Sequence, residues 1–366
     1  MKTINKTIYE LNIPYSIEHI NPLSKTVFID IETTGFTAKT SSLYLIGCIT
    51  YDNNQFIMHQ WFAQTPEDEE NVLRSFVEFI KDYNFLIHYN GNHFDIPYLE
   101  QKLNQYNISF NLSALPGLDI YKRIAPYRDF LKLPNCKQKT VETYLGIMRD
   151  DVLTGGDLIG VYHNYVKNPI DEYSDLLLLH NEEDVKGMVK LLPILSYVDL
   201  FNEPLTVVKV YAQSYTDQDG NPAQEIVMKA KIKNALPVQI SNYANHCFFT
   251  AFGENATIKV PLFEGELKYF YSNYKEYFYL PMEDVALHKS VAIYVDKEHR
   301  EKATAANCYT KKYSTYLPQW DYIVEPFFKA EYKSKELFWE VTEENKKNRQ
   351  LFSSYASHIL QMIMKH

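Results

Sequence analysis

Asp30 and Glu32 stand two residues apart in an apolar run, Val27-Phe28-Ile29-Asp30-Ile31-Glu32-Thr33-Thr34-Gly35, that a glycine stops. In an extended strand residues i and i+2 share a face, so both carboxylates point one way while Val27, Ile29 and Ile31 turn to the other. Two carboxylates side by side repel unless a cation lies between them, and hard oxygen ligands suit Mg²⁺ or Mn²⁺. The plainer reading of an isolated D-x-E is a strand whose acids face water. Further acids along the chain favour the first reading. Asp95 follows Asn90 and Phe94 at a strand-to-helix junction, and Asp184 lies in a late helix with His180 one turn before it on the same face. Acids from a strand, a junction and a helix can converge at one edge of a sheet. Such a set could hold two divalent cations about 3.5–4 Å apart around a phosphodiester, one activating water and the other stabilising the leaving oxygen. An imidazole, with a reference pKa of about 6.5, suits a base that takes the proton of that water.

The elements that must position these groups are readable in outline. Residues 1–25 are weakly patterned and read as a leader strand or tether. The D-x-E strand and the strand-like runs 42–51 and 55–62, separated by Asp52-Asn53-Asn54, form a three-stranded antiparallel meander. Thr65-Pro66-Glu67-Asp68 starts a helix, continued by Val72, Leu73, Phe76, Phe79 and Ile80 at helical spacing. A short buried strand at 85–89 leads through Asn90-Gly91-Asn92 into a helix over 94–105, with Pro97 in its first turn. Residues 119–146 are helical in tendency. Their Lys122, Arg123, Arg128, Lys132, Lys137 and Lys139 read either as a solvated helical face or as a surface that tracks phosphates. A long helix is expected over 171–197. Strands followed by helices in this order make a mixed α/β sheet flanked by helices.

Beyond Asn202-Glu203-Pro204 the composition changes to short β-like runs, a turn at 217–222 and dense aromatics at 269–279. Two domains follow: residues 1–200, and a smaller β-rich accessory domain over 201–366 that closes in a helical tail from about residue 343. Its tyrosines and phenylalanines read as stacking platforms for unpaired bases or as ordinary sheet core and surface. His288-Lys289-Ser290 and residues 297–312 are further strand contacts to consider.

The totals exclude several classes. A chain of 366 residues that is 46% hydrophobic and 15% aromatic is long for one core and too apolar to be disordered. No run approaches the roughly 18 apolar residues of a membrane span, and the first twenty residues lack an apolar signal core, so a cytoplasmic location is expected. Cys48, Cys136, Cys247 and Cys308 are widely separated, without C-x-x-C, and read as reduced, mostly buried thiols. A net charge of -9 argues against a protein that coats nucleic acid by bulk attraction, yet allows a local grip through metal ions and a small basic patch.

Asp30-Ile31-Glu32-Thr33-Thr34-Gly35, Tyr89-Asn90 through Phe94-Asp95-Ile96-Pro97-Tyr98-Leu99, and His180-Asn181-x-x-Asp184 resemble the three exonuclease motifs of the DEDD superfamily of 3′→5′ exonucleases. Lys139-Thr140-Val141-Glu142 to Gly146, Arg149-Asp150-Asp151, Gly155-Gly156 and Tyr162 look like the YprB-like branch, related to the proofreading domain of family B DNA polymerases. The resemblance covers roughly residues 25–195. It implies a ribonuclease H-like fold and 3′→5′ exonuclease activity on nucleic acid, DNA or RNA, most naturally a single-stranded 3′ end. It further implies that Asp30, Glu32, Asp95 and Asp184 bind two divalent cations, Mg²⁺ or Mn²⁺, with Asp30 bridging both. His180 lies four residues before Asp184, where one subgroup places a tyrosine; the histidine subgroup places its histidine five before. His180 is the candidate general base, with a buried structural histidine as the alternative.

Candidate substrate contacts are Thr33, Asn90 and Lys139. Asn90 either meets a sugar or phosphate oxygen or closes a turn, and Lys139 faces the site only if the helix it opens does. Asp119, after Pro116-Gly117, reads as a helix cap or as a further catalytic acid; His88 and His93 read as core and surface residues. The reading from a different class is a non-catalytic nucleic-acid-binding or scaffold protein that keeps the fold. No membrane is implied, and a partner of the second domain is not marked by any motif.

Overall fold

Apolar runs too short to be helices build the sheet of the first unit. The computed structural model describes residues 1–149, 155–216 and 219–365, and divides into two compact units, Met1–Val198 and Asp199–His366. In the first, β1 (Lys2–Ile8), β2 (Thr26–Thr33), β3 (Leu43–Asp52) and β4 (Gln55–Phe62) precede α1 (Glu69–Ile80), β5 (Phe85–His88) and α2 (Asp95–Gln105). The short elements β6 (Gly117–Asp119), α3 (Ile120–Ile124) and α4 (Gln138–Tyr144) follow, then α5 (Gly155–Lys167) and α6 (Asp171–Lys190). α7 (Leu195–Asn202) carries the chain into the second unit.

The strands form one six-stranded sheet in the order β1-β4-β3-β2-β5-β6. The meander β2-β3-β4 is antiparallel, β1 adds to its outer edge, and β5 and β6 join parallel on the far side of β2. Asp30 pairs with Gly47 and Gly47 with Gln60, so these three residues share one face. α6 covers that face. On the other, the α1 stripe Val72, Leu73, Phe76, Val77 and Ile80 is buried, with Phe76 edge-on to Trp61 and Phe79 against His59. Fully burying one such side chain contributes about 1.5–3 kcal/mol, so this face anchors the sheet while the α6 face is left for polar work.

Two sequence expectations need correction. The helix expected over 171–197 is two helices: Pro193, inside the 3-10 turn Leu192–Ile194, has no N–H to give, and the chain restarts at Leu195. The helical tendency over 119–146 resolves into the short helices α3 and α4, because Pro126 and Pro134 interrupt it. The helix expected from about Phe94 to Gln105 is Asp95–Gln105, with Phe94 in the cap position. The motif residues Asp150 and Asp151, and part of the expected 217–222 turn, lie outside the described residues.

The second unit contains β7 (Thr206–Thr216), β8 (Pro222–Ala244), β9 (Cys247–Pro261), β10 (Phe263–Phe270), β11 (Tyr277–Leu280), β12 (Val285–His288), α8 (Lys289–Ala292), β13 (Glu301–Lys302), β14 (Tyr309–Gln319), β15 (Phe327–Phe328), β16 (Leu337–Glu340) and α9 (Arg349–Met364). They make sheets β7-β8-β9, β10-β14-β16-β15 and β12-β11-β13. α9 packs on the first through Ser353 and Ser357, whose hydroxyls accept the Val207 and Leu205 amides. Tyr316, Trp339, Tyr355, Phe249 and Phe352 are fully buried, whereas the aromatics of 269–279 are half-buried, several of them packed against small core clusters. Among the described residues no helix is long and apolar enough to cross a membrane, and all four cysteines are buried and free.

Candidate active site

β2 lies inside the sheet, and its two acids leave it on the α6 side. Asp30 receives the Asn181 amide at 3.0 Å. Glu32 lies beneath His180, whose Nε2 is 3.8 Å from Glu32 Oε1 and 3.2 Å from Asp184 Oδ2. Ligand atoms of Glu32, His180 and Asp184 fall within 4.8 Å of one another. Asp95 opens α2, and one of its oxygens accepts the Ile31 amide at 3.3 Å, between the two β2 acids. Residues far apart in sequence thus meet because β2 is central, α2 starts where the neighbouring β5 ends, and α6 crosses above.

Burial and mutual repulsion set the acids' protonation. Asp30 is pushed well above the ordinary carboxylate range by burial and then by Asp184, Glu32 and Asp95. Burial raises Glu32 to about 8, with His180 opposing, and raises Asp95 to about 7. Asp184 moves the other way: burial works to raise it, but His180 and Arg149 outweigh that and hold it below its usual value. Glu32 Oε1 is buried without a hydrogen-bond partner, and Oε2 has only a long contact of 3.5 Å from the Tyr44 hydroxyl. A carboxylate oxygen left unanswered beside three other acids is the environment a bound cation would satisfy.

A second set of groups, whose roles the sequence does not announce, holds the acids in place. Asn181 is fully buried; its carbonyl accepts Gln60 Nε2 at 3.0 Å, which commits its amide to Asp30. Gln60 is fixed in turn by the Leu178 carbonyl at 2.9 Å. This relay passes over Gly47, where a Cβ would fall inside the Asn181 amide. Arg149 bonds Asp184 Oδ1 and reaches Glu142 Oε2 at 3.1 Å. Asp119 accepts the amides of Asn90 at 2.9 Å, Asn92 at 3.2 Å and Lys122 at 3.2 Å, with His88 Nδ1 3.7 Å away. It therefore caps α3 and ties down the loop that leads to Asp95. Position in the sequence motif was the only available signal for Asn181 and Arg149; Gly47 and Gln60 carried none.

The three candidate substrate contacts are placed differently. Thr33 donates to the Gly35 carbonyl at 2.9 Å. Asn90 has φ +62° and its side-chain oxygen lies 3.1 Å from His93 Nδ1, so it closes the turn with its side chain at the surface. Lys139 is exposed on α4, whereas Gln138 of the same helix reaches the Asp184 carbonyl at 2.7 Å. His88 is buried and His93 exposed. Phe36, just beyond the first motif, is 88% exposed and meets Phe94 edge-on at 6.1 Å.

A family model described as RNase_H superfamily matches residues 27–196. The sheet with its flanking helices is a ribonuclease H-like fold, followed by β-rich sheets. Among solved structures, the family B DNA polymerase of the archaeon Pyrobaculum calidifontis is similar at 16% identity and TM-score 0.38, over 70% of this chain and 35% of that one. A structure of exonuclease I is similar at 12% identity and TM-score 0.35, over 57% of this chain and 55% of that one. Exonuclease I of E. coli in complex with a dT13 oligonucleotide is similar at 10% identity and TM-score 0.33, with the same coverage. The chain thus spans between about a third and just over half of the length of these proteins. No curated protein matches it in sequence.

Proposed function

We propose that this ribonuclease H-like chain is a metal-dependent 3′→5′ exonuclease that hydrolyses the terminal phosphodiester of a single-stranded nucleic acid. The observation that carries the proposal is the cluster of Glu32, His180 and Asp184 within 4.8 Å, with Asp95 close enough to favour protonation of both Asp30 and Glu32 and one Glu32 oxygen without a hydrogen-bond partner. Asp30, Glu32, Asp95 and Asp184 would hold two divalent cations, Mg²⁺ or Mn²⁺. Bound there, such ions supply charge neutralisation, an acidified water and stabilisation of the leaving oxygen. The polarity is that implied by the resemblance of the three motifs.

The chain's own residues do the rest. Asn181 fixes the rotamer of Asp30, and Asp119 fixes the loop that sets Asp95. His180, whose Nε2 lies beside both Glu32 and Asp184, is the candidate base for the attacking water, a role in which Nε2 must first give up its bond to Asp184 Oδ2. Phe36 offers its exposed ring to a terminal base. The basic residues from Lys122 to Lys139 would follow the backbone phosphates. The test is an oligonucleotide labelled in turn at each end, as DNA and as RNA, incubated with Mg²⁺ or Mn²⁺. Stepwise loss of nucleotides from the 3′ end is expected, abolished in Asp30→Ala and in Asp184→Ala. Equal activity in both variants would assign the site wrongly, and no activity in the unaltered chain would leave a nucleic-acid-binding protein that retains the fold.

A further inference from the structure

Glu142 is a carboxylate with 1% of its surface exposed, and nothing in the proposed hydrolysis uses it. Burial raises its pKa while Gln138 and Arg149 oppose the rise. Its surroundings are built to receive it. Gln138 Nε2 donates to its Oε1 at 2.9 Å and also to the Asp184 backbone carbonyl at 2.7 Å, tying α4 to α6. Gly187, one turn beyond Asp184, leaves the space that Glu142 Oε1 fills, since a Cβ there would collide with it. The carboxylate so held receives Arg149 Nη1 at 3.1 Å. The other end of the same guanidinium bonds Asp184 Oδ1. Arg149 is 8% exposed in its side chain. Its planar fork matches two carboxylates in a fixed geometry.

We propose that Arg149, anchored by Glu142, is the resident cation of Asp184, and that a divalent ion has to displace it from that carboxylate. The proposal rests on the reading of Asp184 as a metal-binding acid. His180 covers Oδ2 of Asp184 and Arg149 covers Oδ1, so the acid has no idle oxygen to offer. An arriving ion competes with a charge-assisted hydrogen bond. Glu142 keeps hold of the displaced guanidinium, so its charge stays beside the site.

The experiment is Mn²⁺ titration by calorimetry or water-proton relaxation of the full chain, stripped of metal, at low salt. Arg149→Gln, Arg149→Lys and Asp184→Asn are compared with the unaltered chain. Thermal melts in EDTA verify that each is folded. Removing a competitor at a charged acceptor is expected to tighten Mn²⁺ binding on the order of 10- to 100-fold in Arg149→Gln. Arg149→Lys, which keeps the charge and loses the fork, falls between; it carries the test should Arg149→Gln fail to fold. Asp184→Asn weakens binding at least about tenfold. If both Arg149 variants bind Mn²⁺ as the unaltered chain does, or more weakly, while Asp184→Asn weakens it, the competition is refuted and the site stands. If Asp184→Asn leaves binding unchanged, the metal site itself is misassigned and the proposal falls with it.

Discussion

Gly47→Ala puts one methyl group where another side chain already stands. Its Cβ would occupy the position of the Asn181 amide, and Asn181 is fully buried with the nearly buried Gln60 behind it. Forcing an extra methyl into a packed core costs about 1–3 kcal/mol. If Asn181 yields, its bonds to Asp30 and from Gln60 break, and each buried polar group left short of a partner costs about 1–3 kcal/mol more. The expected loss is therefore about 3–9 kcal/mol, a large share of the roughly 5–15 kcal/mol that holds a domain folded. The collision has one partner, which makes it separable. Asn181→Ala alone, which breaks the same two bonds, should lose about 2–6 kcal/mol, and the double variant, with the collision gone, should be little less stable than Asn181→Ala itself. Urea unfolding of the four chains in EDTA, followed by circular dichroism, measures this coupling. Additive losses, or a loss below about 1 kcal/mol for Gly47→Ala, would refute the relay from Gln60 through Asn181 to Asp30.

The acids predict a pH dependence whose sign is fixed. Glu32 rises from 4.5 to about 8 on folding, so the metal-free folded chain binds the extra proton, and stability falls as pH rises across that window. Asp184, held below its ordinary value, acts in the opposite sense but only in more acidic solution. Buried His88 and half-buried His59 and His358, held below the ordinary imidazole value, act in the opposite sense below about pH 6.5. The melting temperature in EDTA should therefore decline from about pH 6.5 to about pH 8, with the decline flattened in Glu32→Gln; an unchanged slope in that variant contradicts the assignment. Phe36→Ala, which removes an exposed ring, should leave the melting temperature within about 1 °C and raise KM about tenfold, since stacking one base contributes about 1–3 kcal/mol; steady-state kinetics on a single-stranded oligonucleotide read this. Asp119→Ala strands three backbone amides. Stability should fall by about 2–4 kcal/mol in urea unfolding, with loss of kcat because the Asp95 loop is released; a fully active, equally stable variant would remove Asp119 from the support of the site.

Much of the first unit is legible because its signals are local. The alternation around Asp30 and Glu32, the turn at Asp52-Asn53-Asn54 and the α1 stripe each lie within a few residues, and the structure forms those strands and that helix. β6 was not legible: three residues, Gly117–Asp119, pair with β5 and supply too short a pattern to read. Pro193 was visible, yet the apolar residues on either side read as one continuous helical stripe and masked the break. Asn181 and Arg149 illustrate the deeper limit. An asparagine or arginine is identified as support for an acid only by which partner it reaches, and those partners lie 151 and 35 positions away.

The supporting groups divide the four acids into two kinds, and that division bears on which of them a cation meets first. Asp30 has the Asn181 amide and Asp184 has both Arg149 and His180. Asp95 has a backbone amide. Glu32 has the long Tyr44 contact and His180 Nε2 at 3.8 Å from Oε1, which itself accepts no hydrogen bond. Removing a buried carboxylate from water without full compensation costs several kcal/mol, and this cost falls on Glu32, raised to about 8, and on Asp30, raised well above its ordinary value. An ion approaching the cluster therefore gains more at Glu32 and Asp30, where it displaces a proton, than at Asp184, where it must displace a guanidinium. Glu32→Gln should accordingly lose more Mn²⁺ affinity than Asp95→Asn in the same titration, although both remove one negative charge. Equal losses would mean that net charge governs entry to the site and that the partners of individual oxygens do not.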